Sequence, residues 1–269
     1  MTKTSTSQKV QLIARRNQRF DNGTRLVAEE MPVALSYNGT TQAVMMATPG
    51  DLEDFAIGFS LTEGIIARAS EIERMEIVAF DQGIDVQMWL TETRENALVA
   101  RRRFMAGPVG CGLCGIDSIE QAVRPLRPLE TDGTKFSADD IIMAMSLLAA
   151  GQHLNQKTHA VHAAGFYTAA NGMLAVREDV GRHNALDKLI GAVARGHMQP
   201  QQGLVALTSR VSVEMVQKTV MSGVPVLAAI SAPTSLAIRL AEESNLTLVA
   251  VVRGEEFDVF THAHRIIMS

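Results

Sequence analysis

Apolar and polar positions divide the chain into two stretches of different rhythm. From about residue 30 to residue 90 the period is mostly two. Glu30-Met-Pro-Val-Ala-Leu-Ser-Tyr37 reads as a strand, Asn38-Gly39 as a hairpin turn, and Thr40 to Met46 as the returning strand. Glu76 to Phe80 and Asp85 to Leu90 alternate in the same way around Asp81-Gln82-Gly83. Between these pairs Pro49-Gly50-Asp51 opens a helix through Leu61, with Leu52, Phe55, Ala56 and Phe59 on one apolar face. Thr91 to Met105 is a helical candidate ending in Arg101-Arg102-Arg103. Residues 1–20 are polar and basic and read as a flexible N-terminal tail.

Beyond Pro125 and Pro128 the rhythm changes. Ser137-Ala-Asp-Asp140 is a capping-box variant before a helix to about Gln152. Thr158 to Thr168 and Met173 to Arg177 read as strands turning at Asn171-Gly172. A helix from about Arg182, a strand Leu204 to Thr208, a helix Val213 to Met221 and a strand Val224 to Ile230 follow. A helix from Thr234 and a strand Leu246 to Val252 continue the series. Alternation of this kind predicts an α/β layer with strands parallel at least in part. The expected organisation is a tail (1–20), an α+β domain (21–135) and an α/β domain (136–269).

Composition narrows the classes. At 46% hydrophobic and 20% charged, the 269 residues are too apolar for a disordered chain. A net charge of −4 speaks against a dedicated nucleic-acid coat. The longest apolar stretches, such as Ile141 to Ala150, are about ten residues, where a spanning helix needs roughly 18 or more. No apolar segment of signal-peptide type opens the chain, so a cytoplasmic setting with reduced thiols is expected.

Both cysteines lie in Gly107-Pro-Val-Gly-Cys-Gly-Leu-Cys-Gly115, where four glycines and a proline in nine residues exclude a stable regular element. Cys111-x-x-Cys114 is open to three readings. It is half of a zinc site, a thioredoxin-type dithiol, or a mobile nucleophile. Zinc would need ligands such as His159 and His162, a poor pair in a strand, where residues three apart face opposite sides. From Arg94 to Arg127 six arginines face three acids, a local +3 that favours thiolate and draws in anions. The alternative for Arg101 to Arg103 is a solvated helix end.

Three polar loops each follow an apparent strand and start a helix. They are Glu178 to Asn184, Thr208 to Ser212 and Ser231 to Ser235. Helix N-termini offer free N–H groups to phosphate, and open α/β sheets bind ligands at the carboxyl ends of their strands. Gly181, Arg182, His183, Ser209, Arg210 and Ser231 therefore fit a phosphate or nucleotide pocket; the alternative is plain helix capping. Asp179 and Asp187 flank His183 at i−4 and i+4, where a carboxylate would orient the ring and raise its basicity. Met45 and Met46 read as core filler.

These segments, with Asp54-Phe-Ala-Ile-Gly-Phe-Ser-Leu-Thr-Glu-Gly64, Ser209-Arg-Val-Ser-Val-Glu-Met-Val-Gln-Lys218 and Phe260-Thr-His262, resemble the FdhD family over about residues 28 to 265. Its members are formate dehydrogenase accessory sulfurtransferases. The resemblance implies a sulfur carrier that takes persulfide sulfur from a cysteine desulfurase. The sulfur passes to the molybdenum bis(molybdopterin guanine dinucleotide) cofactor used by formate dehydrogenase. Cys111 would be the carrier and Cys114 its helper, with no metal site. The C-terminal half would be cytidine deaminase-like, without the zinc residues of deamination. Val251, Val252, Arg253, Gly254, Glu255 and Glu256 fall on the family's cofactor-contact segment, and the two glutamates depart from its basic character. A guanine nucleotide such as GDP would fit the same site. A homodimer is implied, with no nucleic-acid or membrane partner. The rival reading is a cofactor-binding chaperone without covalent sulfur transfer.

Overall fold

The structure, a computed structural model, describes residues 5–96, 98, 126–130 and 133–268. It opens with a hairpin of β1 (Ser7–Arg16) and β2 (Arg19–Ala28), paired from Ser7↔Ala28 to Arg16↔Arg19. This corrects the reading of residues 1–20 as a tail. Asn17 and Gln18 both take positive φ, 46° and 64°, as a two-residue turn between twisted strands requires. The alternation of Val10, Leu12 and Ala14 is a strand signal that the surrounding charges mask.

Next come β3 (Met31–Tyr37), β4 (Thr40–Ala47), α1 (Leu52–Thr62), β5 (Ile72–Phe80) and β6 (Gly83–Leu90). The four strands form one sheet in the order β4-β3-β6-β5, with β3 and β6 parallel. Asn38 and Gly39 make the left-handed turn that their sequence demands. Alternation buries Val33, Leu35, Tyr37, Ile84, Val86, Met88 and Leu90 on one face, and α1 covers it with Phe55, Ala56 and Phe59. A helix begins at 92–96, and the rest of the Thr91 to Met105 candidate lies largely outside the described residues.

The second half holds β7 (Phe136–Ser137), α2 (Ala138–Gly151), α3 (His153–Thr158), β8 (His162–Thr168), β9 (Gly172–Asp179) and α4 (Arg182–Arg195). After these come β10 (Gly203–Leu207), α5 (Val213–Met221), β11 (Val226–Ala229), α6 (Ser235–Glu243), β12 (Thr247–Arg253), β13 (Glu256–Thr261) and β14 (Ile266–Ile267). Six of the strands form a mixed sheet in the order β13-β12-β11-β10-β8-β9. Its two faces carry separate cores, one against α4, α5 and α6 and one against α2. The fold is mixed α/β, as the alternation predicts. Ser137 and Asp140 make the expected reciprocal cap of α2.

Thr158 to Val161 is not strand. Thr158 closes α3, and His159 follows in the left-handed conformation with φ 54°. The cause is remote in sequence. The Glu178 carboxylate accepts from Leu154 N and Asn155 N at 2.8 Å, satisfying the free donors at the start of α3. No helix among the described residues is long and apolar enough to cross a membrane.

The halves meet where α1 crosses α4. A Cβ built at Gly58 would lie 1.7 Å from the Asp187 carbonyl oxygen, and one at Gly191 1.9 Å from that of Asp54. Only glycine lets the two backbones approach so closely. Gly58→Ala should lower the unfolding free energy by about 3 kcal/mol in urea titration, the upper range of overpacking. Gly23→Ala, whose Cβ meets only a Leu12 methyl at 3.6 Å, should change it by less than about 0.5 kcal/mol.

Candidate functional site at the strand ends

Strands β10, β11 and β12 run parallel, and β9 shares their direction because β8 lies antiparallel between β9 and β10. Their carboxyl ends therefore share one edge of the sheet, where ligands bind in open α/β folds. The loops there are stitched together. Thr208 N donates to Ala163 O, and Ala163 N donates to Thr208 Oγ1 at 2.9 Å. Val211 N donates to Ala232 O and Thr234 N to Val211 O.

This edge gathers Gly181, Arg182, His183, Ser209, Arg210 and Ser231 from three loops. Gly181 caps α4, and its N–H donates to Asp179 Oδ1 at 2.8 Å. Ser209 is buried and donates to Arg210 O; Arg210 is exposed, and Ser231 is half-buried. The Arg182 Nε is shielded from solvent and has no hydrogen-bond partner among the described residues. A donor of this kind beside free helix N–H groups suits an anionic oxygen.

Farther along the edge, Val251 takes φ 57°. That is costly for a β-branched residue. Register skips between Ala250/Asp258 and Arg253/Glu256, so the strand bulges there. The Val252 side chain is buried in the core, and Arg253, Gly254, Glu255 and Glu256 form an exposed turn. Only the turn and the bulged backbone offer groups to a ligand. Cys111 and Cys114 lie outside the described residues, as do Arg101 to Arg103.

The two carboxylates assigned to His183 do different work. Asp179 is fully buried. Its Oδ2 pairs with Lys188 Nζ at 2.6 Å and accepts from Thr48 N, while Oδ1 accepts from Gly181 N and Asn184 Nδ2. Lys188 also donates to Thr48 O. Asp187 pairs with Lys218 Nζ at 2.8 Å and accepts from Thr62 Oγ1. Burial pushes the Asp187 carboxyl up, against the pull of Lys218 and Thr62. Both acids face the inter-half contact, where buried ammonium groups compete for them.

Among the described residues, the nearest carboxylate to the His183 ring is Glu214, with Nε2 to Oε2 at 4.0 Å. The basicity of His183 falls rather than rises. Burial, then Arg182 and Lys218, push its pKa down to about 4 against the opposing Glu214. Burial and Arg182 likewise lower His162, the first residue of β8. His162, Lys188, Lys218 and Glu214 also shape this edge, without a strand-end loop motif of their own in the sequence. The lysines left one signal, charged positions within otherwise apolar helix stripes.

The chain thus combines a mixed α/β sheet, polar loops at the strand ends and a Cys-x-x-Cys pair in the sequence. The FdhD/NarQ family model matches residues 28–267. The sulfur carrier protein FdhD of Brucella abortus biovar 1 (strain 9-941) is 66% identical over 269 residues, covering all of both chains. That of Agrobacterium fabrum (strain C58 / ATCC 33970) is 61% identical over 91% of each. A crystal structure from Desulfotalea psychrophila, of a protein provisionally assigned as a formate dehydrogenase accessory protein, superposes with a TM-score of 0.78 at 27% identity. It covers 98% of this chain and 100% of its own. The chain belongs to the FdhD/NarQ family.

The histidine geometry sets a pH dependence. The folded His183 value of about 4 lies below the ordinary 6.5, so between them the unfolded chain binds more protons and stability falls as pH falls. His162 acts with the same sign. Urea midpoints from pH 7.5 to 4.5 should drop less steeply in His183→Gln than in the parent chain. Equal slopes would contradict this.

Proposed function

We propose that this protein is a sulfur carrier serving formate dehydrogenase. One observation carries the reading: relatives 66% identical over its full length bear the name sulfur carrier protein. The chain's two cysteines, Cys111 and Cys114, supply the thiol chemistry that the name requires. The Cys111 thiolate attacks the terminal sulfur of a cysteine desulfurase persulfide. A new S–S bond forms on Cys111, the donor's S–S bond breaks, and the donor leaves as a thiolate. Cys114 assists. The Cys114 thiolate then attacks the inner sulfur of the Cys111 persulfide, the Cys111–Cys114 disulfide forms, and the outer sulfur leaves as sulfide for the molybdenum of the bis(molybdopterin guanine dinucleotide) cofactor, which is cargo for formate dehydrogenase. The setting is the cytoplasm and the working form a homodimer.

The strand-end edge supports a site for the cargo's nucleotide ends, and GDP would occupy the same place. Arg182 supplies a fixed cation, with its Nε turned away from solvent. The N–H groups opening α4 and α5 supply donors to phosphate oxygens. His183, neutral at pH 7, offers one donor and one acceptor in place of a second positive charge. Arg253 and Gly254 extend the edge.

Intact mass after incubation with an active cysteine desulfurase and cysteine tests the transfer step. Gain of one sulfur on Cys111, reversed by reductant and absent in Cys111→Ala, is the expected result. An unmodified chain would favour the cofactor chaperone without covalent transfer.

A further inference from the structure

The β1–β2 hairpin stands apart from the rest of the molecule in three ways. All of it but Ala28 precedes the segment that the FdhD/NarQ family model matches, residues 28–267. Between Ser7 and Ala28 it carries Lys9, Arg15, Arg16, Arg19 and Arg25 against the single carboxylate of Asp21. That is a net charge of +4 in a chain of −4, which leaves −8 for the remainder. It also exposes large apolar side chains, with Ile13 72% and Phe20 70% accessible.

Register sorts these groups by face. Arg15 pairs with Phe20, Ile13 with Asn22 and Lys9 with Leu26, so all of them share one side of the ribbon. Val10, Leu12, Ala14 and Gly23 occupy the opposite side and are half-buried. Arg16 and Arg19 face each other at the tip. A two-stranded ribbon is marginal in water, and a purely solvated one gains nothing from exposed Ile and Phe. Ile13 and Phe20 with Arg15 and Lys9 on the same face, and the Arg16–Arg19 pair at the tip, have instead the composition of a protein-binding surface.

The root of the hairpin lies beside the site edge. Thr6 and Ser7 share a cleft with Thr48, Gly50 and Glu178, and Thr48 binds the buried Asp179 that shapes the Gly181 turn. A partner held by the arm is thus held next to the edge that carries the cargo. We infer that the β1–β2 arm docks the enzyme that receives the cargo, by engaging an acidic, partly apolar surface patch on it. This rests on the sulfur-carrier reading for the identity of that enzyme. The arm is the basic part of an otherwise acidic chain, so it selects an acidic patch on its partner.

Two double variants separate the contributions. Arg16→Glu/Arg19→Glu reverses the tip while keeping like charges opposite one another, so pairing within the hairpin is unchanged in kind. Ile13→Thr/Phe20→Thr removes the apolar centre with strand-favouring residues. Affinity for cofactor-free formate dehydrogenase is read by biolayer interferometry at about 50 mM and about 300 mM salt. The intact chain should bind more weakly at high salt. The charge variant should bind at least about tenfold more weakly at low salt, and the apolar variant at both salts. Persulfide loading of Cys111 by a desulfurase, read in parallel by mass, should be the same in all three chains.

Three outcomes would overturn the inference. They are unchanged enzyme affinity in both variants, no binding by the intact chain, or sedimentation showing that the variants lose self-association while enzyme binding persists. The last would assign the arm to a second copy of the chain. Failure of persulfide loading in the intact chain would count against the sulfur-carrier reading instead, and the binding result would stand on its own.

Discussion

Two ammonium groups sealed between the halves hold this structure to one arrangement. Lys188 and Lys218 are buried, and an unpaired charge in such a place costs several kcal/mol. Each is tolerated because the opposite half completes its shell. Lys188 meets Asp179 and the Thr48 carbonyl, while Lys218 meets Asp187 and the Thr62 hydroxyl. Those partners arrive in register only because Gly58 and Gly191 let α1 and α4 touch backbone to backbone. Arg177 and Arg195 add to the contact by converging on the buried Asp54. Removing one member of such a pair costs about 3–5 kcal/mol, mostly from the charge left behind. The inter-half surface is therefore intolerant of partial change.

The same network shapes the site. Asp179 spends one oxygen on Lys188 and Thr48 and the other on Gly181 N and Asn184. The turn that presents Arg182 and His183 is thus fixed from beneath by the N-terminal half. The acids neutralise the buried lysines, and Arg182 adds a further cation at that turn, with its Nε shielded from solvent. Burial first, and Arg182 after it, lower the pKa of both His162 and His183, which disfavours their charged forms.

Much of this was legible in the sequence, and the gaps have physical causes. The Asn38-Gly39 hairpin, α1, the α2 capping box and the alternation from α4 to β12 follow from local rules. The loops bearing Arg182, Ser209 and Ser231 were placed correctly because strand ends and helix starts carry local signals. The β1–β2 hairpin was hidden by its charge, and α3 by a cap that comes from Glu178, more than twenty residues away. The partners of Asp179 and Asp187 differ from the sequence expectation for a related reason. Sequence spacing brought them near His183, while packing turned them toward lysines that no local rule connects to them. Neither the strained Val251 nor the lowered His183 pKa has any local signature.

The claim that this edge, fixed by Asp179 and faced by Arg182, holds the guanine nucleotide ends of the cargo is tested most directly by calorimetric titration. GDP would be titrated into the full chain and into Arg182→Ala. One site per chain, at least about tenfold weaker in the variant with its melting temperature unchanged, is the predicted result. No heat of binding in the parent chain, or equal affinity in both, would contradict the account.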